Sequence, residues 1–175
     1  MTTPAEAASM NKLFLANVTR AVEKMRGNVD YTLRKVLYDM SRQIIMRTPV
    51  DTGRLRGNWQ FGTAEIPSGQ VDDKDPASGF GGPTEKKIWN SIADAKAGTI
   101  HYIVNNLPYA QVIEYGMYPN PPKGALVSYG LKKTTTHVDK VSGGYSTQAP
   151  QGMVRITVME YKQFLEGAVA ELAGR

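Results

Sequence analysis

Asp51-Thr52-Gly53 is the triplet that surrounds the catalytic carboxylate in aspartic proteases. That chemistry needs two carboxylates close enough to share a proton, because like charges at that distance split their pKa values. One such triplet in a chain of 175 residues needs a second copy of the chain to complete the pair. In those enzymes the triplet follows a buried apolar strand and precedes a small residue. Here it follows Thr48-Pro49 and precedes Arg54-Leu55-Arg56. Two guanidiniums beside the carboxylate would hold it ionised and defeat proton sharing. A structural corner accounts for the same residues. Pro49 stops a helix by restricting Thr48. Asp51 is placed to accept from the N–H of Gly53 or Arg54, as an N-cap or Asx turn. Gly53 permits a tight backbone approach. Leu55 and Trp59 then face one side, which leaves Arg54 and Arg56 outward.

Other chemistries find less support. The chain has no cysteine and two histidines, His101 and His137, neither with metal-ligand spacing around it. "GFGGP" (79–83) lacks the preceding strand and the Lys-Ser/Thr pair of a phosphate loop. "DDKD" (72–75) is too short for a calcium loop. No Gly-x-Ser-x-Gly elbow is present for Ser-His-Asp catalysis. His101 lies in a strand pattern, where a packed or exposed histidine is ordinary. The expectation is no enzyme, no cofactor and no metal.

The elements that carry these residues follow from periodicity. Residues 1–10 read as a loose arm. Leu13, Phe14, Val18, Val22 and Met25 recur at helical spacing. Gly27-Asn28 is a plausible stop, with Asp30 capping a second helix whose stripe is Leu33, Val36, Leu37, Met40, Ile44 and Ile45. One long bent helix is the alternative. Trp59, Phe61 and Thr63 alternate as a strand. Residues 67–83 are rich in Gly, Pro, Ser and Asp and read as a mobile loop. Thr84 is placed to cap a helix to about Ala95. Thr99 to Asn106 forms the best strand, with Ile100, Tyr102 and Val104 on one face. A short amphipathic helix from Pro108 to Gly116 carries Tyr109, Glu114 and Tyr115, which could bind a partner. Residues 117–148 form a second long loop, and a broad apolar stripe after Pro150 marks a last helix. This order predicts a single α+β domain: long terminal helices on a small, mainly antiparallel sheet, with two long loops.

Composition sets the class. With 41% hydrophobic and 21% charged residues, the chain is not disordered by composition. No apolar run approaches the ~20 residues of a bilayer span, so no membrane partner is expected. The N-terminus lacks the basic start and apolar middle of a signal peptide. The net charge of +5 is concentrated before Gln60. That excess suits an acidic partner, phosphates or a solvated helix face. A basic DNA-binding module is therefore a rival reading, though no helix-turn-helix signal supports it.

Taken in order, "TPVDTGRLRGNW" (48–59), "YIVNNLPYAQVIEYG" (102–116) and "STQAPQGMV" (146–154), framed by a long N-terminal helix and a last helix, resemble one known family. They are similar to the tail-completion, or neck, proteins of long-tailed double-stranded DNA phages, of the minor tail protein Z type. The resemblance implies a structural virion protein at the head–tail junction, made in the host cytoplasm. It implies a homo-oligomeric ring, expected to be a hexamer, that helps join the tail to the DNA-filled head. Partners would be the neighbouring neck proteins (tail terminator, stopper or adaptor, tail tube) and the genome DNA in the channel. A tail terminator or stopper ring of the same neck is the alternative within that class. In these terms Pro49, Asp51, Thr52, Gly53 and Trp59 form a signature of fold. Arg54 and Arg56 are candidates for inter-subunit ion pairs. Tyr118, Pro121, Pro122 and Tyr129, with Tyr109, Glu114 and Tyr115, are candidate interface residues.

Overall fold

The computed structural model describes residues 4–76, 79–115 and 148–174. Its elements run α1 (Pro4–Arg47), α2 (Arg54–Gly57), β1 (Trp59–Thr63), α3 (Pro83–Ile92), β2 (His101–Asn105), α4 (Ala110–Tyr115), α5 (Val154–Met159) and α6 (Tyr161–Ala173). The architecture is α+β, with one antiparallel two-stranded sheet.

The two expected N-terminal helices are one. α1 is 44 residues long, roughly 65 Å at 1.5 Å per residue. Gly27 costs about 1 kcal/mol relative to alanine within a helix, too little to break one whose later turns are anchored by packing. Residues 4–10, read above as an arm, belong to this helix. Asp30 caps no second helix; its Oδ1 accepts from the N–H of Ala97 at 2.7 Å.

Three elements pack along the second half of α1. α6 runs antiparallel to it, with Arg47 Nη2 on Glu160 at 2.7 Å at one end and Tyr31 Oη donating to Glu171 at the other. α3 packs on another side, where Tyr38 and Trp89 meet edge-on with centroids 4.4 Å apart. α5 contributes Thr157, whose Oγ1 accepts from Arg47 Nη1 at 2.9 Å. The core gathers Ile44 and Ile45 of α1, Leu55, Trp59, Ile88, Ile92, Ile113 and Met153.

The sheet closes one side of this core. Phe61 pairs with Ile103, and both pack against the core. Strand alternation therefore turns Tyr102 and Val104 to the opposite face, and Ile100, just before the strand, is 66% exposed. The expected cap of α3 is corrected as well. Gly82 holds the N-cap position and Pro83 the first turn. Thr84 instead donates its N–H to Asp75 Oδ2 at 3.1 Å. The expected C-terminal helix is divided at Glu160. Part of its apolar stripe faces out, with Val158 54% and Val169 50% exposed.

Candidate functional site

The Asp-Thr-Gly corner is organised around Thr48, 1% exposed at the end of α1. Its hydroxyl donates to the Ile44 carbonyl at 2.7 Å and accepts from the Trp59 indole N–H at 2.8 Å. Its carbonyl accepts from Arg56 Nη2 at 3.2 Å. Thr48 thus ties the helix end to the first strand. Sequence reasoning passed over it, although a threonine before Pro49 and eleven positions ahead of a tryptophan is the available signal.

Gly53 is where two stretches of backbone meet. It takes φ +79°, and a Cβ there would lie 2.4 Å from the Asp75 carbonyl carbon. Its carbonyl accepts from the N–H groups of Gly57 at 2.9 Å and Asp75 at 3.0 Å. Only glycine combines that left-handed backbone with that closeness. Asp51, by contrast, is exposed and caps nothing: the N-cap of α2 is Gly53, with no side-chain cap. The N–H of Arg54 donates to Thr52 Oγ1 at 3.4 Å. The buried carboxylate of this region is Asp75, 1% exposed.

The arginines also part company. Arg54 is exposed and reaches Asp72 at 3.9 Å. Arg56 is 6% exposed and turns inward to Thr48, so it is not available for an ion pair with another subunit. The mobile loop expected over 67–83 is pinned where the structure describes it. Asn58, fully buried, donates to the Val71 carbonyl at 2.7 Å and accepts from the Val71 N–H at 2.9 Å. Asn106 donates to the carbonyls of Pro67 and Gly69. Lys87 holds Asp73 at 2.8 Å. Beside it, Glu85 accepts from Tyr38 Oη at 2.8 Å and pairs with Arg42 at 3.3 Å. Burial, then the hydrogen bond to Glu85, raises the Tyr38 pKa above its usual 10.0.

The second constellation is a clamp built on Glu114. This residue is 5% exposed at the end of α4. Its Oε2 accepts from the N–H groups of Met153 at 2.6 Å and Val154 at 3.0 Å, and its Oε1 from the N–H of Arg155 at 2.9 Å. A carboxylate on the free N–H groups of a helix start is favourable by charge and by hydrogen bonding. Arg155 returns the contact, with Nε 3.4 Å from Glu114 Oε1 and Nη2 donating to the Glu114 carbonyl. Its guanidinium lies over the Tyr115 ring at 4.8 Å. Gly152 leaves room for this: at φ +78°, its Cβ would sit 2.5 Å from Glu114 Oε1. Glu114, expected at a subunit interface, is therefore an internal fastener. It joins the described stretches on either side of residues 116–147.

The remaining candidates divide. Tyr109 packs against the core, and burial raises its pKa against the opposing influence of Arg54. Tyr115 is 52% exposed. Tyr118, Pro121, Pro122 and Tyr129 lie outside the described residues, as does His137. His101 engages both ring nitrogens, with Thr63 Oγ1 at 3.0 Å and the Lys96 carbonyl at 3.1 Å. The carbonyl requires Nε2 to donate, and the Thr63 hydroxyl can serve Nδ1 as donor or acceptor. Among the described residues, no group of three or more His, Cys, Asp or Glu could hold a metal ion, and no helix is long and apolar enough to cross a membrane.

Corner and clamp both fasten the fold to itself. Among the described residues, the first half of α1 leaves a run of large apolar side chains uncovered. Met10, Leu13, Phe14, Leu15, Val18, Met25 and Val29 are 42–65% exposed there. Comparisons with protein-family models, curated proteins and solved structures find no match for this chain.

Proposed function

We propose that this protein is a structural subunit of a phage virion, assembled as a ring at the junction of head and tail. The observation that carries the reading is the first half of α1, a helix that extends past the other described elements with large apolar side chains exposed. An isolated chain leaves that surface in water. An assembly subunit buries it against a neighbour, and patches of this kind mark interaction sites. The order of the three motifs and the framing helices supports the head–tail junction in particular.

A second reading has its own observation. Lys12, Arg20, Lys24 and Arg26 are exposed on the same half of α1, a basic surface that could meet duplex DNA. Such binding weakens steeply with salt.

The test is a stop codon early in this gene in its phage, followed by negative-stain electron microscopy of the lysate. Full heads beside unattached tails, rescued by the protein supplied in trans, are the expected result. Tails of abnormal length would transfer the role to a tail terminator. Normal infectious particles would overturn the reading. Salt-sensitive binding of the purified protein to duplex DNA would then put the DNA-binding module first.

A further inference from the structure

β2 is a strand with an open edge. Its register with β1 fixes where each backbone group points. The bond from the Ala64 N–H to the Ile100 carbonyl, at 2.9 Å, continues that register by one pair. Hydrogen-bonded and non-bonded pairs alternate along an antiparallel ladder. Tyr102 and Val104 therefore bond to Gly62 and Gln60, while His101, Ile103 and Asn105 turn their N–H and C=O groups away from β1. Thr63 Oγ1 and His101 Nδ1, 3.0 Å apart across the sheet, agree with this phase, since the side chains of non-bonded pairs stand closer. Among the described residues the sheet has no third strand, and no hydrogen bond shown reaches the outward groups of those three residues.

The edge is also preformed. Side chains on the core face hold the strand at both ends. His101 Nε2 donates to the Lys96 carbonyl at 3.1 Å, and Asn105 Nδ2 to the Leu55 carbonyl at 2.7 Å. Ile103, between them, packs against the core. A partner strand meets a fixed row of donors and acceptors, with little ordering left to do on this side. The usual guards of an edge are charged side chains, proline or a bulge. Thr99 to Asn106 contains no Asp, Glu, Lys, Arg or Pro, and the register from Trp59 to Thr63 runs unbroken.

An open edge is completed by another open edge, and this one answers itself. Two β2 strands laid antiparallel about a twofold axis at Ile103 set His101 against Asn105 and Ile103 against Ile103. Every outward N–H then meets an outward C=O, with none left over. On the opposite face Tyr102 falls opposite Val104 of the second copy, and the reverse. Both side chains are partly exposed, and an aromatic opposite a β-branched residue favours pairing. The two-stranded sheet becomes four-stranded, an ordinary size.

We infer that β2 pairs antiparallel with β2 of a second copy of this chain, centred on Ile103. The contact is isologous and closes on two chains. It goes beyond the reading above and requires neither a ring nor a place in a virion.

Amide hydrogen exchange of the full chain reads the edge directly. The N–H groups of Tyr102 and Val104 should be protected at every concentration. Those of His101, Ile103 and Asn105 should exchange freely in dilute solution and become protected as concentration rises, in step with dimer formation in sedimentation. Charge tests the register. Tyr102→Lys/Val104→Lys places like charges opposite each other and should weaken the dimer by roughly tenfold or more, with the larger effect at low salt. Tyr102→Lys/Val104→Glu places opposite charges there and should recover most of the loss. Equal weakening by the two variants, at equal monomer stability, would overturn the register. A monomer at every concentration, an Ile103 amide already protected in the monomer, or a dimer in which that amide still exchanges freely would overturn the inference. Dimers together with normal phage particles from the stop-codon infection would keep the pairing and reject the junction role; unattached tails with a strictly monomeric protein would do the reverse.

Discussion

The two halves of α1 are built from the same kind of residue and meet different fates. From Asp30 to Arg47 the helix lies under α3, α5 and α6, and Val36, Ile44 and Ile45 are buried. Before Asn28 no hydrogen bond or ion pair shown ties it to another described element, and Leu13, Phe14 and Met25 are exposed. Neither propensity nor amphipathicity separates the halves, since the apolar stripe runs through both. The lengths of the partner helices do. α6 has 13 residues and α3 has 10, and both run out near the middle of a 44-residue helix. An amphipathic helix draws most of its stability from the face it buries. The free half therefore depends on its anchored half, or on another chain, to remain ordered.

The sharpest way to break this comparison is to truncate one side chain in each half. Ile44→Ala should cost about 2–5 kcal/mol, the range for a fully buried large aliphatic side chain. Phe14→Ala should leave the unfolding midpoint of the monomer unchanged, because its side chain is 65% exposed. A comparable loss at Phe14 would show that its face is already covered within the chain.

Next in size is the clamp. Glu114→Ala strips the partners from the N–H groups of Met153, Val154 and Arg155 and should cost about 1–3 kcal/mol. Glu114→Gln, which still accepts but carries no charge, should cost less. Equal losses in denaturant titrations would mean that charge has no part in the cap.

Smaller, and opposite in sign, is Gly27→Ala. A Cβ at Gly27 meets nothing within 4 Å, so the gain should be about 0.5–1 kcal/mol. It appears in global unfolding only if the two halves of α1 melt together. A gain in helix content without a shift in the midpoint would show that the free half frays independently.

Alkali tests the anchored half alone. Tyr38 has its pKa raised, mainly by burial. The folded state therefore keeps a proton that the unfolded state releases. The resulting stability is complete below about pH 10, the ordinary tyrosine value, and is lost as pH rises through the higher folded value. Tyr38→Phe should flatten that alkaline decline, read as unfolding midpoint against pH.

How much of this was legible depended on the range of the interaction. The stripe from Leu33 to Ile45, the two strands and the end of α1 at Pro49 are local patterns, and they were readable. The continuity of α1 through Gly27 was open in the sequence, because a lone glycine is tolerated when the flanking turns are held by packing. Residues 67–76 looked mobile because their composition is that of a loop. What pins them is side chains far along the chain, Asn58 and Asn106, and no periodicity marks a buried asparagine. Glu114 was read as a surface residue for the same reason: the N–H groups it holds lie 39 to 41 positions away. Arg56 was placed outward by helical spacing, yet α2 has four residues, too few for spacing to set a face.

The smallest expected effect belongs to the residue with the most suggestive motif. Asp51 sits between the buried Thr48 and the close-packed Gly53, within a triplet that elsewhere marks catalysis. Capping would have made Asp51→Ala cost about 0.5–2 kcal/mol. The carboxylate is exposed, however, and the N-cap of α2 is Gly53. The expectation therefore falls to within about 0.5 kcal/mol, the usual range for surface positions. Gly53→Ala in the same triplet should be severe, because its Cβ would press into the Asp75 backbone at 2.4 Å. Paired melts of the two variants separate the roles: a large loss at Asp51 would restore it to the corner, and a mild one at Gly53 would mean that the 73–76 backbone can withdraw. If both hold, the conformation of Gly53 and the contacts of Thr48, and not the Asp51 carboxylate, make the corner.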